Sequence, residues 1–260
     1  STALVVSSPS STTRIVLGRS QPSADRDQRF VYDVDAQTLT STSTEKGWRL
    51  PLSSSVYVTR PTETGAWLLR DATWSVALRN RRGNAYLDPL FVGQLDENHF
   101  AVAVIDSDRR ILLSVSRTGD IRELLILTDD TVPLGVEDGR VWLVESAPRE
   151  GIELPPHGPS VVWSIDVRGT TSTRIIDERR DALVTDVVAN GRDVAFGTDQ
   201  SDIRLVDDGQ LLNPIKGRSL GWLPDHRLVF LRDRHVCIVS HSSPPACSSV
   251  TVPDDLRWIG

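Results

Sequence analysis

The chain has 260 residues, a formal net charge of -6 at pH 7 and a pI near 5.4. This acidic balance argues against nucleic acid as a partner, because phosphate binding needs concentrated positive charge. No apolar run reaches the roughly 18 residues of a membrane-spanning helix, and the first residues lack both regions of a signal peptide. We expect one domain over residues 1–260 that does not insert into a membrane. Because the sequence contains no methionine, we also expect it to be part of a longer polypeptide.

Short apolar runs of strand length, separated by turn residues, begin near the start of the chain. Their apolar residues recur at alternate positions, which is typical of half-buried strands, and helical patterns are few. Over the first third of the chain the runs are 3–7, 14–18, 30–34, 38–43, 56–59, 65–69, 75–78 and 85–87. The turn Asp35-Ala36-Gln37 predicts a hairpin between 30–34 and 38–43.

Units of four strands then follow one another along the chain. The unit at 89–127 is the clearest, with strands expected at 90–95, 100–105, 111–116 and 122–127. In the unit at about 132–177 the four strands are expected at 133–136, 141–145, 161–167 and 171–176. A long insertion separates its second and third strands. Repetition of this kind indicates one supersecondary unit used several times.

Residues 183–239 contain one phrase twice. In the first copy NGRDVAFGT precedes DIRLVDDG, and in the second copy PDHRLVFLRD precedes HVCIVS. The second copy ends in the run 247–252. A four-stranded unit repeated every roughly 35–50 residues is typical of the blades of a β-propeller. Six such units fit in the chain.

On these phrases the chain resembles a six-bladed β-propeller of the broad WD40-like and TolB-like superfamily, without indicating a specific functional family. The resemblance implies an all-β fold of six four-stranded blades, closed by strands from both termini. In that arrangement 256–260 is the first strand of a unit and 3–7 is its second strand, which removes two exposed edges. Alternatively, 3–7 is itself the innermost strand and the C-terminus is an extension.

Propellers that resemble this one bind ligands at the face carrying the loops between units and the loops between second and third strands. A cation, a sugar or a basic peptide could bind there to the charged residues of the entering loops, which are Asp88, Asp130, Arg180, Asp181, Arg218 and Asp255. The alternative is that aspartate at a strand entrance only accepts backbone N–H bonds in a turn. The insertion 146–160 adds Glu150, Glu153 and His157, and its alternative is a tolerated surface extension.

The sequence contains no nucleophile elbow, phosphate-binding glycine loop or HExxH motif. We therefore expect no catalytic residue, no cofactor and no metal site. The second hypothesis is a carbohydrate-active hydrolase or lyase with carboxylates at the mouth of the central channel. Such an enzyme would show two facing acids beside an exposed tryptophan. Trp48 and Trp74 lie near loops and are the candidates, whereas those expected in strands, where they would fill space between blades, are Trp67, Trp142, Trp163 and Trp222.

The two cysteines, Cys237 and Cys247, fall in consecutive expected strands and would face each other across a hairpin at a distance that a disulfide can bridge. A bridge implies an oxidising compartment, and the alternative is two buried thiols. The favoured hypothesis is a non-catalytic sensing or scaffold propeller of an exported or surface-anchored bacterial protein. We expect a monomeric domain that binds a protein or a cell-envelope ligand.

Overall fold

The computed structural model describes residues 14–19, 28–33, 38–43, 56–59, 65–71, 73–146, 159–172, 174–178, 182–207, 210–223, 225–240, 243–252 and 256–258. Every regular element within these ranges is a β-strand. Across the same ranges no helix is long and apolar enough to cross a membrane. The alternation of apolar residues therefore predicted the class of secondary structure correctly.

The described strands form six antiparallel sheets, which we call blades 1 to 6. Blade 1 consists of β1 (Arg14–Arg19), β2 (Gln28–Asp33) and β3 (Thr38–Ser43) with the distant β24 (Leu256–Trp258). Blade 2 consists of β4 (Tyr57–Thr59), β5 (Leu68–Arg70) and β6 (Ser75–Ala77). Blade 3 consists of β7 (Leu87–Gln94), β8 (His99–Asp106), β9 (Arg109–Ser116) and β10 (Ile121–Leu127). Blade 4 consists of β11 (Thr131–Glu137), β12 (Arg140–Ser146), β13 (Ser160–Asp166) and β14 (Ile175–Asp177).

Blade 5 differs from its neighbours at the outer edge, where two short strands pair with one longer strand. It consists of β15 (Val184–Asn190), β16 (Asp193–Thr198), β17 (Asp202–Asp207), β18 (Gln210–Leu211) and β19 (Ile215–Lys216), with both β18 and β19 paired to β17. Blade 6 consists of β20 (Arg218–Trp222), β21 (Leu228–Arg232), β22 (His235–Val239) and β23 (Ala246–Thr251), and the last strand is β24 (Leu256–Trp258).

Strands from both ends of the sequence meet in blade 1. β24 pairs antiparallel with β1, with Leu17 opposite Trp258, and β2 pairs with β3 in the predicted hairpin. The neighbour of the C-terminal strand is therefore β1, and the assignment of 3–7 to that place was wrong. β1 already fills the second position of a four-stranded blade, and residues 3–7 lie outside the described residues.

The three described strands of blade 2 occupy the second, third and fourth positions of a blade, not the first three. Trp74, in the turn between β5 and β6, stacks on Phe100 of blade 3, and Arg117 from the turn between β9 and β10 covers both rings. At the opposite end Asn80, just after β6, donates from Nδ2 to Asp106, the last residue of β8, at 3.1 Å. The turn between β5 and β6 therefore lies on the same side as the turn between the third and fourth strands of blade 3. This makes β5 and β6 the third and fourth strands of blade 2. The prediction that 56–59 begins this unit was wrong, because β4 (Tyr57–Thr59) is the second strand of its blade.

Blades 3, 4, 5, 6 and 1 follow one another in space as they do along the chain. Their first strands, β7, β11, β15, β20 and β24, contact each other in this order. Buried apolar cores lie between consecutive sheets from blade 2 to blade 6, and they include Phe100, Leu143, Phe196 and Phe230 in turn. Antiparallel sheets packed face to face around their first strands define a β-propeller, so the all-β propeller fold is confirmed. The count of six blades and the closure of the whole ring stay predictions.

The tryptophans of the strands fill space between blades, as predicted. Trp163 is 5% exposed in the core between blades 3 and 4, Trp142 is 5% exposed in the next core, and Trp222 is 3% exposed between blades 5 and 6. Trp67 packs against the core between blades 2 and 3. Trp74 was predicted as a ligand platform, but its ring centroid lies 5.2 Å from that of Phe100, so the ring contributes to interior packing.

Cys237 and Cys247 form the predicted disulfide across β22 and β23, with their Cα atoms 4.0 Å apart. Cys237 is fully buried in the core between blades 5 and 6, whereas Cys247 is exposed on the outermost strand. The bridge therefore ties the outer edge of blade 6 to its interior. By closing a loop it lowers the conformational entropy of the unfolded chain.

We expect a reductant to lower the melting temperature of the native protein by roughly 5 °C, because a loop of this size contributes about 2–3 kcal/mol of stability. Differential scanning fluorimetry with and without reductant measures the shift. The matched control is Cys247→Ser, which removes the bridge at an exposed position and should leave no response to the reductant. An equal response of both proteins would show that the bridge does not stabilise the fold.

Candidate functional site

Three of the predicted binding residues, Asp88, Asp130 and Arg218, lie in the described part of the chain, each at the start of a first strand. The predicted binding residues outside the described residues are Arg180, Asp181, Asp255, Glu150, Glu153 and His157. We call the side of the ring where the first strands begin the entry side. Whether any of these residues binds a ligand stays a prediction.

Asp88 and Asp130 lie on neighbouring blades at the entry side. Asp88 is the second residue of β7 and has a left-handed φ of 42°, and Asp130 directly precedes β11. Both side chains are exposed, and their two strands contact each other. Arg218 begins β20, two blades beyond β11, and it is partly buried. The structure thus brings the two aspartates to adjacent strand entrances and places the arginine farther round the ring.

Large apolar side chains are exposed beside these aspartates. Leu87 and Leu90 of β7 are 52% and 57% exposed, and Val132 of β11 is 47% exposed. Leu90 and Val132 occupy equivalent positions, because each lies one residue before the start of a register shift in its strand. We call Leu87, Asp88, Leu90, Asp130 and Val132 the entry patch. Exposed apolar groups rimmed by polar ones are typical of interaction surfaces.

The first strands of blades 3 to 6 share a β-bulge, which follows the strand entrance. Their pairing with the second strand skips one residue, and the residue after the skip is Gly93, Gly135, Asp186 and Gly221 in turn. A Cβ atom at Gly93 would lie 2.8 Å from Cβ of Val136 on the next blade. Glycine therefore allows close approach of adjacent first strands there. Asp186 is the exception in this series.

Two neighbouring residues, Gly197 and Ser219, accommodate the carboxyl group of Asp186. Gly197 lies opposite it on β16, and a Cβ atom at Gly197 would lie only 1.9 Å from Asp186 Oδ1. Ser219, on the first strand of blade 6, donates its hydroxyl to Asp186 Oδ2 at 2.9 Å. A small residue and a hydrogen-bond donor thus accommodate a carboxylate where the other blades have glycine.

Glu137 also breaks the repeat. It lies two residues after Gly135, and the equivalent residues of blades 3 and 6 are Leu95, 5% exposed, and Leu223, 1% exposed. Burial, with the nearby charges of Asp138 and Asp186, raises the pKa of Glu137 to about 7. Blades 4 and 5 therefore carry two acidic groups on adjacent first strands, of which Glu137 holds its proton up to neutral pH.

This arrangement supplies a carboxyl group able to donate or accept a proton near neutral pH, next to a second carboxylate. In the described ranges no group of three His, Cys, Asp or Glu side chains is placed to hold a metal ion. His99 makes a hydrogen bond to Asp96 in its own turn, and His226 makes one to Asp193 on the neighbouring blade, so both rings already have partners. The acids of blades 4 and 5 and the entry patch are therefore the two candidate sites.

Sequence reasoning predicted Asp88 and Asp130, but it missed the apolar side chains of the entry patch and the acids of blades 4 and 5. Leu90 and Val132 read as ordinary strand residues that belong in a core. Glu137 and Asp186 were two of the 35 acidic residues, and a single strand gives no reason to select them. The signal that could have found them is the alignment of first strands on the bulge, where a polar residue at a position that is otherwise glycine or leucine stands out.

Comparison with known proteins does not assign a function to the chain. No family model matches the chain, and no curated protein matches it. Among solved structures, a mitotic checkpoint complex aligns at a TM-score of 0.38 with 18% identity, covering 61% of this chain and 53% of that chain. The chain thus spans about half the length of that structure.

Two further solved structures align over most of the chain at low similarity. Prolyl oligopeptidase B from Galerina marginata, bound to a macrocyclization substrate, gives a TM-score of 0.44 with 10% identity over 88% of this chain and 39% of that chain. The β-propeller domain of the Trilobed protease from Pyrococcus furiosus gives 0.33 with 10% identity over 95% of this chain and 97% of that chain. At these TM-scores the likenesses carry no argument, and the fold rests on the sheet topology.

Gly197→Ala is expected to destabilise the protein by about 2–3 kcal/mol, because the added methyl group overlaps the carboxyl group of Asp186. Restoring the glycine of the other blades with Asp186→Gly should remove most of this cost. Urea unfolding of the two single variants and the double variant measures the coupling free energy. If the two costs simply add, the alanine methyl group and the Asp186 carboxyl group do not compete for one space.

Proposed function

We propose that this chain is a non-catalytic propeller domain that binds a protein or peptide ligand through the entry patch. The observation that carries the proposal is the exposure of Leu87, Leu90 and Val132, between 47% and 57%, at the entrances of two adjacent first strands. Side chains of this kind lose unfavourable contact with water when a partner covers them. Asp88 and Asp130, both exposed, add negative charge beside the apolar surface and would favour a ligand that also carries basic groups.

The wider setting that we propose is an exported or surface-anchored bacterial protein in which this propeller acts as a sensing or scaffold domain. The disulfide between Cys237 and Cys247 supports an oxidising compartment, because such bridges persist mainly outside the cytosol. The domain would be monomeric within a longer polypeptide. Its ligand would be a protein or a component of the cell envelope.

The second candidate is a carbohydrate-active hydrolase or lyase, and Glu137 is the observation that favours it. A carboxyl group with a pKa of about 7 near another carboxylate is a combination that glycoside cleavage can use. Five tryptophan side chains are described, and they weigh against it, since all five are buried or partly buried and none of them offers an exposed platform. Release of reducing sugar from envelope glycans, lost in Glu137→Gln, would establish this activity.

Selection of a random phage-displayed peptide library on the immobilised domain tests the binding proposal. We expect enriched peptides that combine apolar and basic residues. Binding of the selected peptides, measured by titration calorimetry, should weaken at least about tenfold in Leu90→Asp and in Val132→Asp, because each introduces a charge into a desolvated contact.

The matched control is Ile176→Asp. Ile176 is 52% exposed on β14, the outermost strand of blade 4, which lies three strands out from β11. It should bind the selected peptides as the native protein does. Equal weakening in all three variants, or peptides whose binding none of the variants changes, would remove the entry patch as the binding surface.

A further inference from the structure

Blade 5 is tied to blade 4 at the side of the ring opposite the entry side, where the first strands end. Asp138, in the turn after β11, accepts a hydrogen bond at Oδ2 from the backbone N–H of Gly191, in the turn after β15, at 3.0 Å. Glu137 precedes Asp138 and interacts electrostatically with Asp186 of β15. The contact between blades 4 and 5 at this end therefore includes polar and acidic groups beside the apolar core.

Blade 5 is tied to blade 6 at the same end by three hydrogen bonds. Trp222 donates from Nε1 to the carbonyl of Val188 at 3.1 Å. Asn190 donates from Nδ2 to the carbonyl of Leu223 at 3.4 Å. His226, in the turn after β20, contacts Oδ2 of Asp193 at the start of β16 through its Nδ1. We call the side chains that make these contacts the blade-5 joint; they are Glu137, Asp138, Asn190, Asp193, Trp222 and His226.

Two members of the joint change charge near neutral pH. Glu137 is faced by Asp138 in its own turn and by Asp186 from β15. Its register partner on β12 is Arg140, but that guanidinium is engaged by Ser164, at 2.7 Å, and by Asp166, at 3.7 Å. Deprotonation of Glu137 therefore adds a third negative charge without a free cation among these neighbours.

The second titrating member is His226. It is faced by Asp193 from β16 and by Asp225 in its own turn. The hydrogen bond to Asp193, followed by the charge of that carboxylate, raises the pKa of His226. Arg227, the nearest cation in the turn, is bound to Asp225, with 2.8 Å between Nε and Oδ2. The protonated imidazole thus stabilises the contact between blades 5 and 6.

Both groups act in the same direction as the pH rises. The pKa of Glu137 is raised from 4.5 to about 7, so its stabilising contribution is complete below pH 4.5 and is lost by about pH 7. The pKa of His226 is raised from its ordinary value of 6.5, so its contribution is complete below that value and is lost as the pH passes the raised pKa. Each side of blade 5 is therefore weaker in mild alkali than in mild acid.

We propose that the blade-5 joint is an acid-tightened hinge, which holds blade 5 firmly between blades 4 and 6 when Glu137 and His226 are protonated and releases it locally when they are not. The site is separate from the entry patch, so this inference does not depend on the proposed function. The consequence is a local opening of β15 and β16 in response to pH, in a ring whose other blades stay closed. Local opening of this kind is visible in amide exchange before global unfolding.

Hydrogen exchange of the full chain, followed by mass spectrometry at about pH 5.5 and about pH 8, tests the proposal. After correction for the intrinsic pH dependence of exchange, protection of β15 and β16 should fall about tenfold more than protection of β8 and β9. Equal changes in blades 3 and 5 would contradict the hinge.

The two variants of the hinge are expected to behave in opposite ways. Glu137→Gln keeps the neutral form at every pH and should keep β15 more protected in alkali than in the native protein. His226→Gln lacks the cation at every pH and should leave β15 less protected in acid. Glu123→Gln, an exposed position on β10 of blade 3, is the matched control and should exchange as the native protein does. The proposal fails if the excess loss of protection in alkali persists unchanged in both hinge variants.

Discussion

Close approach of the first strands is the constraint on which the rest of the structure depends. The sheets of blades 3, 4 and 5 pack both faces against their neighbours, so their first strands must converge on the inner side of these blades. A bulge relieves the crowding in β7, β11, β15 and β20, and glycine follows the bulge in three of these four strands. The apolar cores then fill the wedges between sheets with large side chains such as Phe100 and Phe196.

Departures from this repeated solution mark the positions where chemistry can differ from blade to blade. Asp186 occupies the position at which blades 3, 4 and 6 have glycine. Gly197 leaves space for its carboxyl group, and the hydroxyl of Ser219 donates a hydrogen bond to it, which offsets the free energy of burying that group. Glu137 stands where Leu95 and Leu223 are buried in other blades. Polar residues at such positions carry a penalty in stability unless hydrogen bonds offset it, and proteins tolerate this penalty mainly at functional sites. The two departures lie on adjacent first strands, which is why we connect them in one pH-sensitive joint.

The fold could be predicted further than the site. Alternation of apolar residues and the repeated phrases identified the strands of blades 3 to 6, because local sequence dictates a half-buried strand. The position of Val56 and its neighbours was wrong because strand order within a blade depends on contacts with the next blade, such as Asn80 to Asp106, that no local pattern encodes. Asp88 and Asp130 were placed correctly at strand entrances, but exposure of Leu90 and burial of Glu137 depend on how first strands meet around the ring.

The most direct test of this account is the pKa of Glu137 itself, measured from the side-chain carboxyl carbon by NMR on protein labelled at glutamate and assigned with Glu137→Gln. Half-burial beside Asp138 and Asp186 predicts a midpoint of about 7. A midpoint near the ordinary glutamate value of about 4.3 would show that the group is solvated and remote from these charges. That result would contradict the arrangement of β11 and β15 on which the joint rests.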